Sequence, residues 1–144
     1  MKLVAPVEVF SGMTSLRRKT FGFVRRSGSY FPLMTSISGW EPAAKSHQKL
    51  LDSSVWTDEA FNFAGLYKFT FRGTGWDIHH KKRLGTEHAS HAEVKLMIYY
   101  VCRVLSKMTN KSPNLKNLGM LRKLLKKKPQ QDAEILLSEE PCFE

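Results

Sequence analysis

The sequence predicts a single α/β domain, and three observations support that prediction. The chain has 144 residues, which is the size of one domain. Apolar residues recur at three- and four-residue steps over residues 90–108, which predicts an amphipathic helix. Shorter apolar segments at 66–71 and 134–138 have the length and composition of strands. No apolar run is long enough to span a membrane.

In the first half of the chain, the sequence pattern predicts one helix and one strand. Residues 1–42 are predicted to be an irregular basic arm, because prolines and glycines interrupt any long helix there. Residues 43–51 begin near a proline and offer an apolar side, which predicts a helix. Residues 66–71 alternate between aromatic and polar side chains. This alternation predicts a strand, and the glycines of residues 73–75 end it in a turn.

The second half contains the clearest helix. The helix over residues 90–108 is stopped by Pro113. Residues 115–127 predict a second, very basic helix that ends at Pro129. Residues 134–138 form a short apolar run between polar residues, which predicts a buried strand.

The charge distribution favours an anionic partner. Lysine and arginine outnumber the acids, which leaves a net charge of +10. Residues 103–128 contain nine Lys or Arg and no acid, and a second basic cluster follows Trp76. Such one-signed blocks attract phosphate, so nucleic acid is the predicted partner. The candidate nucleic-acid contacts are Trp76, His79, His80, Lys81, Lys82, Arg83, Arg122, Lys123, Lys126 and Lys127.

Two of these assignments have structural alternatives. Trp76 is a candidate for stacking on a base, and the alternative is that it packs against the sheet. Lys126 and Lys127 also fit the solvated C-terminal end of a helix, where cations suit the helix dipole.

The cell compartment is only weakly constrained. Two cysteines are too few for a disulfide scaffold and suit a reducing interior, so an intracellular location in cytoplasm or nucleus is favoured. The N-terminal segment is rich in Arg and Ser and poor in acids, as mitochondrial transit peptides are, which makes mitochondrial targeting the alternative.

Two short segments have the composition of a reaction centre. His91-Ala92-Glu93 opens the predicted helix at 90–108, and Glu140-Pro141-Cys142 follows the predicted strand. Each segment also has a structural interpretation when it is taken alone. Ser90-x-x-Glu93 is a capping box, and Cys142 alone is a small buried residue.

Taken together, the two segments resemble the cytidine/adenosine deaminase superfamily, most closely its branches that act on polynucleotides. The residues that carry the resemblance are Ser90-His91-Ala92-Glu93 and Leu137-Ser138-Glu139-Glu140-Pro141-Cys142. The resemblance implies a three-layer fold, with a mixed sheet and helices on both faces. It also implies a Zn²⁺ cofactor held by His91 and Cys142, and a proton shuttle at Glu93.

The chain departs from the family pattern in two ways. The interval between His91 and Cys142 is longer than usual, and the basic segment 109–131 is the predicted insertion within a deaminase-like domain at 43–144. The second cysteine of the family's Cys-x-x-Cys pair would fall directly after Glu144. We therefore expect the C-terminal part of the fold to be missing and the third zinc ligand to come from a complementary C-terminal fragment or a partner chain.

The expected function is zinc-dependent hydrolytic deamination of a base in single-stranded DNA or RNA, with cytosine favoured over adenine. The alternative is a non-catalytic basic nucleic-acid-binding module or an inactive deaminase fragment. Binding by such a module would survive Glu93→Ala, whereas enzymatic turnover would not.

Overall fold

The computed structural model describes residues 19–29, 32–41, 48–109 and 133–138, with backbone alone for 104–109. Within these ranges the chain forms a small sheet and a set of helices. The strands are β1 (Phe21–Arg26), β2 (Met34–Ile37) and β3 (Ala133–Leu137). The helices are α1 (Ser53–Leu66), α2 (Gly75–His79), α3 (Thr86–Ala89) and α4 (Ala92–Thr109). None of these helices is both long and apolar enough to cross a membrane.

The sheet has the order β2-β1-β3 with antiparallel pairing on both sides of β1. Gly22 lies at the crowded centre, where an added Cβ would come within 2.7 Å of the Leu137 side chain. Arg25 pairs across the sheet with Glu134, its Nη2 lying 2.7 Å from Oε2. A single parallel bridge joins Thr35 of β2 to Leu50. The combination of this sheet with helices confirms the predicted α/β class.

Helix α4 is the central element, and its prediction from the apolar spacing is confirmed. It contacts all three strands and α1. Leu96 packs with Val24 of β1 in one buried cluster, and Ile98 packs with Ala60 of α1 in another. Because α4 is buried on two sides, its core face is broader than a single stripe, while Met97 stays 54% exposed.

Helix α1 was not predicted from the sequence, since the predicted helix at 43–51 ends before α1 begins. Asp52 caps it, since its Oδ1 accepts hydrogen bonds from the backbone N–H groups of Ser54 and Val55. The predicted helix at 43–51 is wrong for residues 48–51, which form a turn and an extended bridge, and residues 42–47 lie outside the described ranges.

Two further predictions are corrected. Residues 66–71 do not form a strand: α1 continues to Leu66, and Lys68 takes a positive φ of 56° that breaks an extended chain. Residues 1–42 are not an irregular arm throughout, because β1 and β2 lie within them and β1 is the central strand. Paired backbone hydrogen bonds on both sides stabilise β1 despite its glycine.

Helices α2 and α3 form a short connection into α4. Thr74 and Asp77 form a reciprocal capping box at the start of α2. Gly85 precedes α3 with φ at 88°, and an added Cβ there would lie 2.8 Å from the carbonyl oxygen of Phe71. Only glycine fits this position without strain.

Several predicted features fall on parts of the chain that the structure does not describe. These are the basic helix at 115–127, most of the insertion at 109–131, and the Glu-Pro-Cys segment with Cys142. The domain boundaries therefore stay a prediction.

Candidate functional site

The turn between α3 and α4 brings together His91, the predicted zinc ligand, and Glu93, the predicted proton shuttle. The His91 carbonyl accepts a hydrogen bond from the Lys95 backbone N–H, so His91 stands directly before the first turn of α4. Its Nδ1 lies 3.1 Å from Oε1 of Glu93. Both side chains are half-buried, with 26% and 29% of their surfaces exposed. The pair is therefore accessible to a substrate and held by the fold at the same time.

The two groups stabilise each other's charged forms. The hydrogen bond that His91 donates to the Glu93 carboxylate raises the pKa of His91, and burial opposes this only in part. The same hydrogen bond lowers the pKa of Glu93, again against burial. Glu93 is consequently a carboxylate at neutral pH, able to accept a proton.

The alternative interpretation of Glu93 as part of a capping box is not what the structure forms. The Ser90 hydroxyl donates to the carbonyl of Glu87 at 2.9 Å. The carboxylate of Glu93 faces the His91 imidazole. The contacts of Glu93 therefore join it to His91 and not to a helix cap.

Backbone and side-chain hydrogen bonds fix this turn to the end of β2. The Gly39 N–H donates to the Ser90 carbonyl at 3.0 Å. Lys95 is fully buried, and its Nζ donates to the carbonyls of Ile37 at 2.6 Å and Gly39 at 2.8 Å. It also donates to the Ser53 hydroxyl at 3.0 Å. One buried ammonium therefore ties α4 to β2 and α1.

The burial of Lys95 destabilises its charged form. Burial, and then the positive charge of Lys19, lower the pKa of Lys95 from 10.5 to about 7. The carboxylates of Asp52 and Glu93 oppose the shift without cancelling it. Between these two pKa values the unfolded chain binds a proton that the folded chain lacks, so stability rises with pH in that window.

We therefore expect the free energy of unfolding to rise between pH 7 and pH 9 by up to about 1.4 kcal/mol per pH unit through Lys95 alone. The Lys95→Met variant is expected to lack this component, and Lys68→Met, at an exposed lysine, to retain it. Urea unfolding of the three proteins at both pH values measures the difference. Parallel pH dependence in the wild type and Lys95→Met would contradict the expectation.

Of the two predicted zinc ligands, the structure describes His91. His91 provides an accessible imidazole, and the His88 ring lies with its centroid 5.8 Å away. No group of three potential ligands occurs among the described residues, and Cys142 is not one of them. Cys102 is unsuited as a replacement ligand, because it lies eleven residues beyond His91, about 16 Å along the rigid helix α4.

The predicted nucleic-acid contacts divide into four groups. Trp76 and His80 stack on each other with ring centroids 3.9 Å apart, and Trp76 also contacts Trp40. Arg83 lies over the Phe61 ring at 3.9 Å, away from this stack. The remaining described residues are His79, Lys81 and Lys82, which are exposed, as are His80 and Arg83. The residues outside the described ranges are Arg122, Lys123, Lys126 and Lys127.

Asp77 organises the loop that leads into the site. Its side chain is fully buried and accepts hydrogen bonds from the backbone N–H groups of Thr74, Gly85 and Glu87. Burial alone would raise its pKa, but these hydrogen bonds, with that of the Thr74 hydroxyl, outweigh burial and lower it. The sequence interpretation missed this role, although the Thr-x-x-Asp spacing of a capping box indicated it.

Trp40, Lys19 and Lys95, which contact or influence the predicted site residues or one another, were not singled out from the sequence. Trp40 and Lys19 lie in the segment interpreted as an arm, far along the chain from His91. Lys95 sits among apolar residues of a helix, where a lysine normally faces water. No local spacing distinguishes any of the three.

Comparison with known proteins supports the deaminase resemblance in its coarse form. Residues 35–97 match the family described as single-strand DNA deaminase toxin A, C-terminal, which belongs to the deaminase superfamily. The matched segment covers less than half of the chain and contains the turn with His91 and Glu93. No curated protein and no solved structure matches the chain significantly. The Pro-Cys segment lies beyond the matched residues.

Proposed function

We propose that this chain catalyses the zinc-dependent hydrolytic deamination of a base in single-stranded DNA, with cytosine favoured over adenine. The observation that carries the proposal is the contact between His91 and Glu93 at the start of α4. This contact lies within the segment similar to a single-strand DNA deaminase toxin family. That similarity is also the reason for preferring DNA to RNA.

The chemistry assigns each residue one task. Glu93 takes a proton from the attacking water and delivers protons to the ring nitrogen and the departing amine. A C–O bond forms at the base, its exocyclic C–N bond breaks, and ammonia leaves. His91 and Cys142 would hold the zinc ion, which supplies a Lewis acid that lowers the pKa of water.

The local geometry suits this role of Glu93. Its pKa is lowered by the His91 hydrogen bond, so the carboxylate is ionised before the reaction begins. The anchoring of Ser90 to Gly39 holds the turn against β2, which limits the motion of the pair during proton transfer. The net charge of +10 favours a polyanionic substrate.

The zinc dependence is tested by removing and restoring the metal. The protein is dialysed against a chelator and assayed for ammonia release from a cytosine-containing single strand, before and after zinc is added. We expect the activity to be lost on chelation and recovered with zinc. The His91→Ala variant is expected to hold less zinc, as measured by metal analysis, whereas His79→Ala at an exposed histidine holds as much as the wild type.

Two outcomes would contradict the proposal. One is ammonia release that survives complete removal of zinc. The other is the same zinc content in His91→Ala and the wild type.

A further inference from the structure

An aromatic strip of Trp40, Trp76 and His80 lies on the described surface. The Trp40 and Trp76 ring centroids are 4.1 Å apart, and Trp76 stacks on His80 at 3.9 Å with an angle of 21° between the rings. His80 is exposed, and both tryptophans are half-buried. The His80 Nδ1 lies 3.0 Å from the Trp76 carbonyl oxygen, which holds its ring in the stack. The strip therefore presents the exposed His80 ring to solvent, backed by two half-buried tryptophans.

Two lysines lie over the Trp40 ring of this strip. The Nζ of Lys82 lies 5.4 Å from the centre of the Trp40 ring, and that of Lys19 lies 5.7 Å from it. Glu41 is the acid nearest to these cations in the described contacts, with an oxygen 4.0 Å from Lys19 Nζ and most of its side chain exposed. Cations beside stacked aromatic rings form a surface that matches both parts of a nucleotide, because the base has a π face and the phosphate is an anion.

Hydrogen bonds join the strip to the candidate reaction centre. Gly39, which precedes Trp40, donates to the Ser90 carbonyl and accepts from Lys95, on either side of the His91–Glu93 pair. Asp77, which follows Trp76, accepts from the Glu87 N–H in α3 at 2.8 Å. The hydrogen bonds of Gly39 and Asp77 therefore fix the adjacent tryptophans to α3 and to the start of α4, on either side of His91.

We infer that the aromatic strip, with Lys19 and Lys82, binds the nucleotides of single-stranded DNA that flank the target base. A base stacks on the exposed His80 ring or contacts the accessible edges of the half-buried tryptophans, and the lysines contact the phosphates. A duplex is excluded from this mode, since its bases are already stacked on each other. The inference deepens the proposed function and rests on it for the choice of DNA, while the binding itself requires no chemistry.

The test uses a fluorescent oligothymidine strand, which has no exocyclic amine and so cannot be deaminated. Fluorescence anisotropy gives its Kd with the full chain. We expect Trp40→Leu and His80→Ala each to raise the Kd about tenfold. Lys82→Gln is expected to raise it about fivefold and to make binding less sensitive to salt. The matched control, Lys68→Gln, removes the same charge from an exposed loop outside the strip and is expected to leave the Kd unchanged.

Different outcomes separate the inference from the proposed function. If the strip variants bind as tightly as Lys68→Gln, or if the wild type does not bind, the inference is wrong. If binding depends on the strip but cytosine strands are never deaminated, the surface stands and the proposed function fails. Equal competition by oligouridine would overturn the assignment to DNA. Thermal unfolding of each variant verifies folding, and the exposed positions of His80 and Lys82 keep the test valid if Trp40→Leu is unstable.

Discussion

Glu93→Gln is expected to reduce the rate of deamination by about 10³-fold or more, because the amide can neither accept the proton of water nor return it to the leaving amine. The substitution preserves the size of the side chain and leaves a hydrogen-bonding group 3.1 Å from the His91 ring. The measurement is ammonia release from a cytosine-containing single strand under saturating conditions. Glu59→Gln, at an exposed acid on α1, removes one negative charge elsewhere and is expected to keep full activity.

Substrate binding separates this prediction from a general loss of structure. The Kd of Glu93→Gln for oligothymidine is expected to equal that of the wild type, since the aromatic strip is untouched. A non-catalytic binding module would show the same Kd in both proteins and no ammonia in either. Equal turnover by Glu93→Gln and the wild type would exclude Glu93 as the proton shuttle.

Asp77→Ala is expected to lower the free energy of unfolding by about 3 kcal/mol or more, because three backbone N–H groups lose one shared acceptor and buried donors left unpaired cost about 1–3 kcal/mol each. Urea unfolding measures the change. Asp77→Asn keeps one acceptor oxygen and is expected to lose less. Asp58→Asn, at an exposed acid on α1, is the matched control and is expected to be neutral.

The decrease in folding stability at acidic pH tests the role of the Asp77 charge independently. Its pKa is lower in the folded chain than in the unfolded chain, so its contribution is complete above the unfolded value of about 3.9. The contribution is lost as pH falls through the folded pKa. Asp77→Asn is therefore expected to lose less stability on acidification than the wild type. An equal acid loss in both proteins would show that the Asp77 charge does not stabilise the loop.

The sequence predicted the elements whose side chains follow a regular period. The three- and four-residue spacing of α4 forms the predicted helix. The short apolar run forms the predicted strand as β3, but the prediction that this strand is buried is wrong, since its other residues are half-buried and Ile135 is 37% exposed. The position of His91 and Glu93 at the start of α4 followed from the same pattern, because helix start and motif coincide in the chain. The local sequence pattern was sufficient to predict these features.

The missed elements owe their stability to contacts far along the chain. β1 contains Gly22 and two arginines and has no clear alternation, yet it pairs with β3 more than a hundred residues away, where Arg25 meets Glu134. Helix α1 buries small residues such as Ala60 and Ala64 against its neighbours, which gives a weak apolar pattern. Tertiary packing, which no local spacing encodes, determines both elements.

The opposite error occurred at residues 66–71, where alternating aromatics suggested a strand. Phe69 and Phe71 pack edge to face on each other, and Phe71 packs in the same way on Phe61 of α1. These aromatic contacts therefore pack the segment against α1 without a neighbouring strand. Local spacing also could not predict the contacts of Trp40 and Lys95. These contacts depend on Gly39 lying against the start of α4, which is a tertiary contact.

The most direct test of the central claim is the identity of the reaction product. A single DNA strand containing all the bases is incubated with the zinc-supplemented chain, digested to nucleosides and separated by chromatography with mass detection. The account predicts that deoxyuridine appears as deoxycytidine declines, and that neither change occurs with Glu93→Gln. Deoxyinosine instead would contradict the preference for cytosine. The absence of both products would contradict the assignment of the His91–Glu93 pair as a deaminase centre.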